Sequence, residues 1–288
     1  MHPADLPLAQ RAAPWQARLD LGFEHRAGEQ GGTRLVRREH VGPLRVQKPL
    51  YPEGAGICHV LLLHPPAGIA GGDRLEFGID VGAGAHALLT TPGAGKWYRS
   101  TGAEASQVLH MKVSPGGTAE WLPQEAIVFD GTLARIENHI ALDSGARFIG
   151  VDTICLGRRA SGERFVRGEL AMRTRIDLDG KPLWRERSRL AGGAPLLDSP
   201  IGMAGRSVCS TVLAVGVDVD ADIMAACRAG QPRESDALQG LTAMPGLFVG
   251  RYLGHSADAA RAWFVELWKI LRPIVAGAPA AVPRIWST

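Results

Sequence analysis

From Trp15 to Glu24 apolar and polar residues alternate, with Trp15, Ala17, Leu19, Leu21 and Phe23 on one parity and Gln16, Arg18, Asp20 and Glu24 on the other. Side chains of an extended backbone repeat every two residues, so this segment reads as a strand with one face buried and one face wet. The period returns at Leu75, Phe77, Ile79 and Val81, at Ala134, Ile136, Asn138, Ile140 and Leu142, and at Leu170, Met172, Thr174, Ile176 and Leu178. Turn signals punctuate these runs at Gly31-Gly32, Gly71-Gly72-Asp73, Pro115-Gly116-Gly117, Asp130-Gly131 and Asp179-Gly180. With 36 Gly and 19 Pro in 288 residues, the chain has punctuation for many short strands. Val60 to Leu63 and Val212 to Val217 are more continuously apolar and read as strands covered on both faces, which a two-layer arrangement would bury.

Helical signals are confined to the last third. Asp220 is placed to cap a short segment that runs through Arg228 and stops at Gly230. Ser256 is placed to cap a stronger helix, with Asp258 near its positive end and an apolar stripe of Ala260, Trp263, Phe264, Leu267, Ile270 and Leu271. Arg272-Pro273 is expected to end it, and the stripe needs covering by the sheet or by a partner. No repeat or linker divides the chain, so residues 1–288 read as one domain, with 1–14 expected to be flexible.

Charge and cysteine usage narrow the function. A net charge of +3 is scattered without a lysine-rich block, which argues against a nucleic-acid partner. No window has the length and apolarity of a membrane span or a secretion signal. The 4 cysteines are too dispersed for a disulfide framework, so a cytoplasmic location is expected.

Several chemical constellations fail on inspection. Thr90 to Trp97 imitates a phosphate loop but has Thr90 where the first Gly belongs and Trp97 where a hydroxyl should follow the lysine. Gly82, Gly84 and Ala87 give a loose dinucleotide fingerprint, but strand-like sequence follows where a helix should begin. Cys58, His59 and His64 would suit a borderline metal, yet Cys58 and His59 face opposite sides of a strand. Asp152, in the largely apolar run Ile149 to Arg158, needs a partner if buried, and an ion pair with Arg158 or another nearby base is expected; the alternative is an oxygen ligand or relay lining a wet passage. Glu186 sits among alternating charges of the kind found on a solvated face. Nothing assembles an acid, a base and a nucleophile.

Two longer motifs carry a resemblance, His64-Pro65-Pro66-Ala67-Gly68-Ile69-Ala70-Gly71-Gly72-Asp73 and Thr91-Pro92-Gly93-Ala94-Gly95-Lys96-Trp97-Tyr98-Arg99-Ser100. Further segments agree in order: His40 to Leu44 with Tyr51-Pro52-Glu53, Trp121 to Ile127, Cys155 to Arg158 with Gly162-Glu163, and Leu271-Arg272-Pro273 with Pro283 to Trp286. Together they resemble the UreD family of urease accessory proteins, called UreH in some systems, from Trp15 to Trp286. Ala67 departs from the family, which usually has Gly there, and Gly95 replaces a more typical Ser or Thr. The stretch from Ala191 to Val219 carries no matching motif.

The resemblance implies a mainly β fold, a many-stranded, layered, β-helix-like stack with two helices near the C-terminal end. It implies a non-catalytic scaffold that binds apo-urease with UreF and, through the complex, the GTPase UreG, and helps deliver nickel. No cofactor is expected to bind tightly; Ni2+ would pass transiently through a water-filled passage lined by Asp152, Glu186 and Thr91. Trp263 and Phe264 are the expected partner anchors, with packing in the chain's own core as the alternative. Two other function classes are weighed: a β-solenoid carbohydrate-active enzyme, which needs clustered carboxylates beside an aromatic platform, and a nickel storage protein, which needs a tight site.

Overall fold

The computed structural model describes residues 13–28, 31–230, 232 and 234–287. The expected flexibility of the N-terminus falls, for residues 1–12, outside the described residues.

A hairpin of β1 (Gln16–Arg26) and β2 (Gly32–Val41) opens the chain, and the short β3 (Arg45–Val46) leads into a coiled stack. The coils run from β4 (Ile57–Leu63) to β5 (Arg74–Val81), then from β6 (His86–Thr90) through β7 (Gly95–Trp97) to β8 (Ala105–Val113). They continue from β9 (Thr118–Leu122) through β10 (Ala126–Val128) to β11 (Leu133–Leu142), and from β12 (Arg147–Leu156) to β13 (Glu169–Leu178). Each coil crosses between two sheets, so β4, β6, β9 and β12 stack in parallel in one, while β5, β8, β11 and β13 do so in the other. β14 (Lys181–Ala191) folds back on β13, which with β1 and β2 completes a seven-stranded sheet. After the single turn α1 (Pro195–Asp198) come β15 (Val208–Val215), α2 (Ala221–Ala229), β16 (Leu238–Met244), β17 (Leu247–Gly254) and α3 (Ala257–Ala276). Their strands extend the other sheet, which becomes ten-stranded.

Three layers explain the two kinds of strand sequence. The seven-stranded sheet faces the ten-stranded one through Leu19, Phe77, Leu109, Ile140 and Leu170, and presents charged residues to water, so its strands alternate. The ten-stranded sheet lies in the middle, with Val60, Leu89 and Phe148 turned to the first sheet and Leu88, Ile149 and Val212 turned to α3. Its strands are covered on both faces, and every residue of β6 and β9 is buried. The helix supplies the third layer that the continuous apolar runs needed. Among the described residues no helix is long and apolar enough to cross a membrane.

Both helix caps are as expected: the Asp220 carboxylate accepts from the Ile223 N–H at 2.8 Å, and the Ser256 hydroxyl from the Ala259 N–H at 3.1 Å. The end of α3 is not. It continues through Pro273 to Ala276 and closes on Gly277 in the left-handed region, φ 69°. Proline removes one backbone donor, but Arg272 and Val275 are both fully buried, and their packing holds the final turn.

Arg272 and its partner Glu120 are both fully buried charges. The Arg272 Nε and Nη2 donate to Glu120 on β9 at 3.0–3.1 Å, its Nη1 and Nη2 to Glu53 at 2.5 and 2.8 Å, and Nη1 also to the Pro279 carbonyl. Trp268 Nε1 and His86 Nε2 complete the Glu120 carboxylate at 2.8 and 2.7 Å, while His59 Nε2 reaches Glu53 at 2.7 Å. Burial alone would raise the Glu120 carboxyl, but His86 and Arg272 outweigh it and hold it below its ordinary value.

Ala67 occupies a left-handed turn position, φ 64°, in the very place where the resemblance would put Gly. A Cβ there costs about 1 kcal/mol, so Ala67→Gly is expected to raise stability by about 0.5–1 kcal/mol in denaturant titration. Arg272→Met, which leaves two buried carboxylates without their base, is expected to lower stability by about 3–5 kcal/mol, and adding Glu120→Gln to recover part of that loss.

Candidate functional site

Residues facing the gap between the sheets are apolar along most of its length. Two rungs depart from this. In the seven-stranded sheet Asn138 lies beside Thr174, and Thr174 beside Glu186, on three adjacent strands. In the ten-stranded sheet Asp152 lies beside Thr211, and Thr211 beside Arg251, again on three adjacent strands. The rungs meet across the gap: Asn138 Nδ2 donates to Asp152 Oδ2 at 2.8 Å, and Arg251 Nη1 donates to Glu186 Oε1 at 2.5 Å and Thr211 Oγ1 at 2.7 Å.

Polar side chains pack less closely than the leucines around them, and the gap holds a cavity of about 120 Å³, room for several waters. Thr91, Asp152 and Glu186 all line it, together with Asn138, Thr174 and Thr211. Thr91 sits towards the turn after β6, where its hydroxyl accepts from the Gln124 N–H at 2.9 Å and donates to the Gly93 carbonyl at 3.0 Å. Asn138 Oδ1 is buried and makes no hydrogen bond among the described residues, an oxygen acceptor left open.

The electrostatics are set by a buried acid. Burial, reinforced by the neighbouring Glu186 charge and only partly opposed by the Asn138 hydrogen bond, pushes the Asp152 carboxyl up to about 6. Cys209 is in the wall, but burial pushes its thiol up to about 11, so it stays neutral and leaves oxygen as the available donor. Among the described residues no three His, Cys, Asp or Glu side chains group as metal ligands.

The expected partner of Asp152 is corrected here. Arg158 pairs with Glu163 at 2.9 Å, and the acid is held by an amide from the facing sheet. Glu186 points into the cavity and not onto a solvated face. Cys58 and His59 do face opposite ways, the thiol into the intersheet core and the imidazole to Glu53. Trp263 and Phe264 are fully buried against the chain's own ten-stranded sheet, and the Trp263 Nε1 donates to Gln239 at 2.8 Å. Both rings are covered internally, so neither offers a surface to a partner.

The UreD urease accessory protein family model matches residues 16–287. The chain belongs to the UreD family. It is 50% identical over 286 residues to the urease accessory protein UreD of Azoarcus sp. strain BH72, covering 99% of both chains. It is 51% identical over 288 residues to that of Dechloromonas aromatica, covering 98% of this chain and 99% of the relative. The Pseudomonas aeruginosa UreD is 48% identical over 286 residues, again covering 99% of each.

Sequence reading missed Asn138, Thr174, Thr211 and Arg251. Asn138 and Thr174 were visible as polar residues on the inward parity of otherwise apolar strands. The raised Asp152 acid has a thermodynamic consequence: the folded chain binds its proton more readily than the unfolded chain between pH about 4 and about 6, so the carboxylate destabilises the fold above that window. Asp152→Asn, which keeps an acceptor for Asn138, is expected to melt above the wild type near neutral pH, with the difference closing as pH falls towards about 4 in calorimetric scans.

Proposed function

We propose that the chain acts in urease maturation as a non-catalytic scaffold. It holds apo-urease together with UreF and, through that complex, the GTPase UreG, and passes Ni2+ towards the urease active site. The observation that carries this reading is the pair of facing polar rungs, an oxygen-lined gap inside a chain whose relatives are urease accessory proteins.

Chemistry favours such a lining for cargo. A nanomolar site binds by about 12 kcal/mol and releases its ion slowly. Carboxylate, amide and hydroxyl oxygens with water hold a divalent ion loosely enough to hand it on, whereas thiolate and imidazole clusters retain it. Thr91, Asp152 and Glu186 are the residues of the passage, with Asp152 and Glu186 supplying charge and the open Asn138 acceptor an added neutral oxygen.

Reconstitution tests the proposal. Apo-urease mixed with Ni2+, bicarbonate, GTP, UreF and UreG is expected to take up nickel and gain activity only when the chain is added. Asp152→Ala is expected to keep the UreF and urease complexes while lowering nickel incorporation. In the wild type, incorporation should fall as pH drops through about 6, because protonation removes the Asp152 charge, and that fall should be absent in the variant. Full activation by Asp152→Ala would remove this residue from the passage.

A further inference from the structure

Between β14 and β15, residues 192–207 form a compact surface loop that carries no motif of the family resemblance. Its backbone is closed by its own hydrogen bonds: Ser199 N–H to the Pro195 carbonyl, Met203 N–H to Leu196, Ala204 N–H to Ser199 and Gly205 N–H to Leu197, all at 2.8–3.0 Å. Met203 is buried beneath it and anchors it to the intersheet core. This fixed loop holds Ile201 out at 93% exposure, with Leu196 at 43% and, on the adjoining segment, Val166 at 52%. An isoleucine held in water by an ordered backbone gains nothing for folding, and together with Leu196 on the same loop it is available for contact with another molecule.

Beside the loop lies a cleft of about 400 Å³ with a floor of Leu156, Phe165 and Leu197. Its walls are basic. Glu163 is taken by Arg158, and Asp198 by Arg164 at 3.3 Å. Arg206 donates only to the main-chain carbonyls of Asp236 and Ala204, and Arg159 to the Nδ1 of His255. Arg206 and Arg159 therefore have no carboxylate among the described residues, although both face the cleft.

We propose that this cleft and the exposed apolar residues next to it in the chain dock a segment of a protein partner that carries an apolar anchor flanked by acidic residues. Ile201, Leu196 and Val166 meet the anchor, and the two unmatched guanidinium groups take the carboxylates. With the partner seated, the apolar side chains of Leu156, Phe165 and Leu197 would thin the water around those pairs and so strengthen them. A free oxyanion would use the arginines but not the exposed isoleucine, so the peptide is the better fit. This surface rests on the reading that the chain works by holding other proteins, and it is separate from the cavity between the sheets.

The test uses the full chain with purified UreF and purified apo-urease as separate probes in calorimetry. Ile201→Asp alters a side chain with no packing role, and an unchanged melting temperature checks its fold. Affinity for one of the two probes is expected to fall about tenfold or more in Ile201→Asp and again in Arg206→Glu, with the salt dependence of binding reduced in the latter. Leu238→Asp, at an exposed apolar position on β16, is expected to change neither affinity and serves as the control. Wild-type affinity of both variants for both probes would overturn the docking surface while leaving the scaffold reading in place. Failure of the wild type to bind either probe would remove the scaffold reading and this surface together. Loss of thermal stabilisation by inorganic phosphate in Arg206→Glu, without any effect of Ile201→Asp on either probe, would assign the cleft to a small oxyanion and also overturn the proposal.

Discussion

A guanidinium at zero exposure between two carboxylates decides how this molecule is layered. Arg272 leaves α3, Glu120 comes from the middle of β9, and Glu53 from the segment before β4, so one group ties three parts of the chain together. Such a cluster adds little net stability over well-packed apolar residues, because desolvating three charges offsets most of their attraction. Its effect is on specificity. An aliphatic stripe tolerates a helix that slides or rotates, whereas five charge-assisted hydrogen bonds from one planar fork are satisfied in a single position. The helix is fixed, the outer face of the ten-stranded sheet is closed, and β9 and β12 become strands with no wet side.

That closure lets the inner face carry polar groups. Glu120 and Trp121 are neighbours on β9 and point opposite ways, the acid to the helix and the indole to the intersheet core. On the adjacent strand β12, Asp152 takes the inward direction and meets Asn138 instead of a leucine. An acid so placed works against folding, and the gap exists because the rest of the stack is well enough packed to tolerate it. Strand pairing, parallel between β11 and β13 and antiparallel between the others, sets the polar residues of three adjacent strands side by side, so they become one polar band. Two such bands, one per sheet, make the cavity.

Much of the fold could be read from local sequence because its strands obey one rule each. β1, β5, β11 and β13 face water on one side and therefore alternate, and Asp220 and Ser256 announce their helices through their own side chains. The covered runs at β4 and β15 signalled burial on both faces but not what covered them. Pro273 misled because its local penalty is real but smaller than the packing of Arg272 and Val275. The resemblance brought Thr91, Asp152 and Glu186 together, but their partners were hidden for a different reason. Asn138 lies 14 residues from Asp152 and Arg251 lies 65 from Glu186, and no period in the sequence encodes which rung of one sheet faces which rung of the other. The clamp was hidden in the same way, since Glu53 and Arg272 both stand in recognisable segments yet are 219 positions apart.

Under the proposed role of handing a cation onward, the two charged assemblies answer opposite needs. The clamp has its hydrogen bonds filled, with Glu120 receiving from Arg272, Trp268 and His86, and it neither needs nor has room for an incoming ion. The band between the sheets is left incomplete: the Asn138 oxygen lacks a donor, and Asp152 is poised near neutrality by burial beside Glu186. An incomplete site in a rigid frame binds loosely because its ligands do not close around the guest. In a flexible frame the same oxygens would collapse onto a divalent ion and hold it. In the proposed passage weak binding would therefore be a property of the frame as much as of the ligands, and the frame is set by the helix that Arg272 pins.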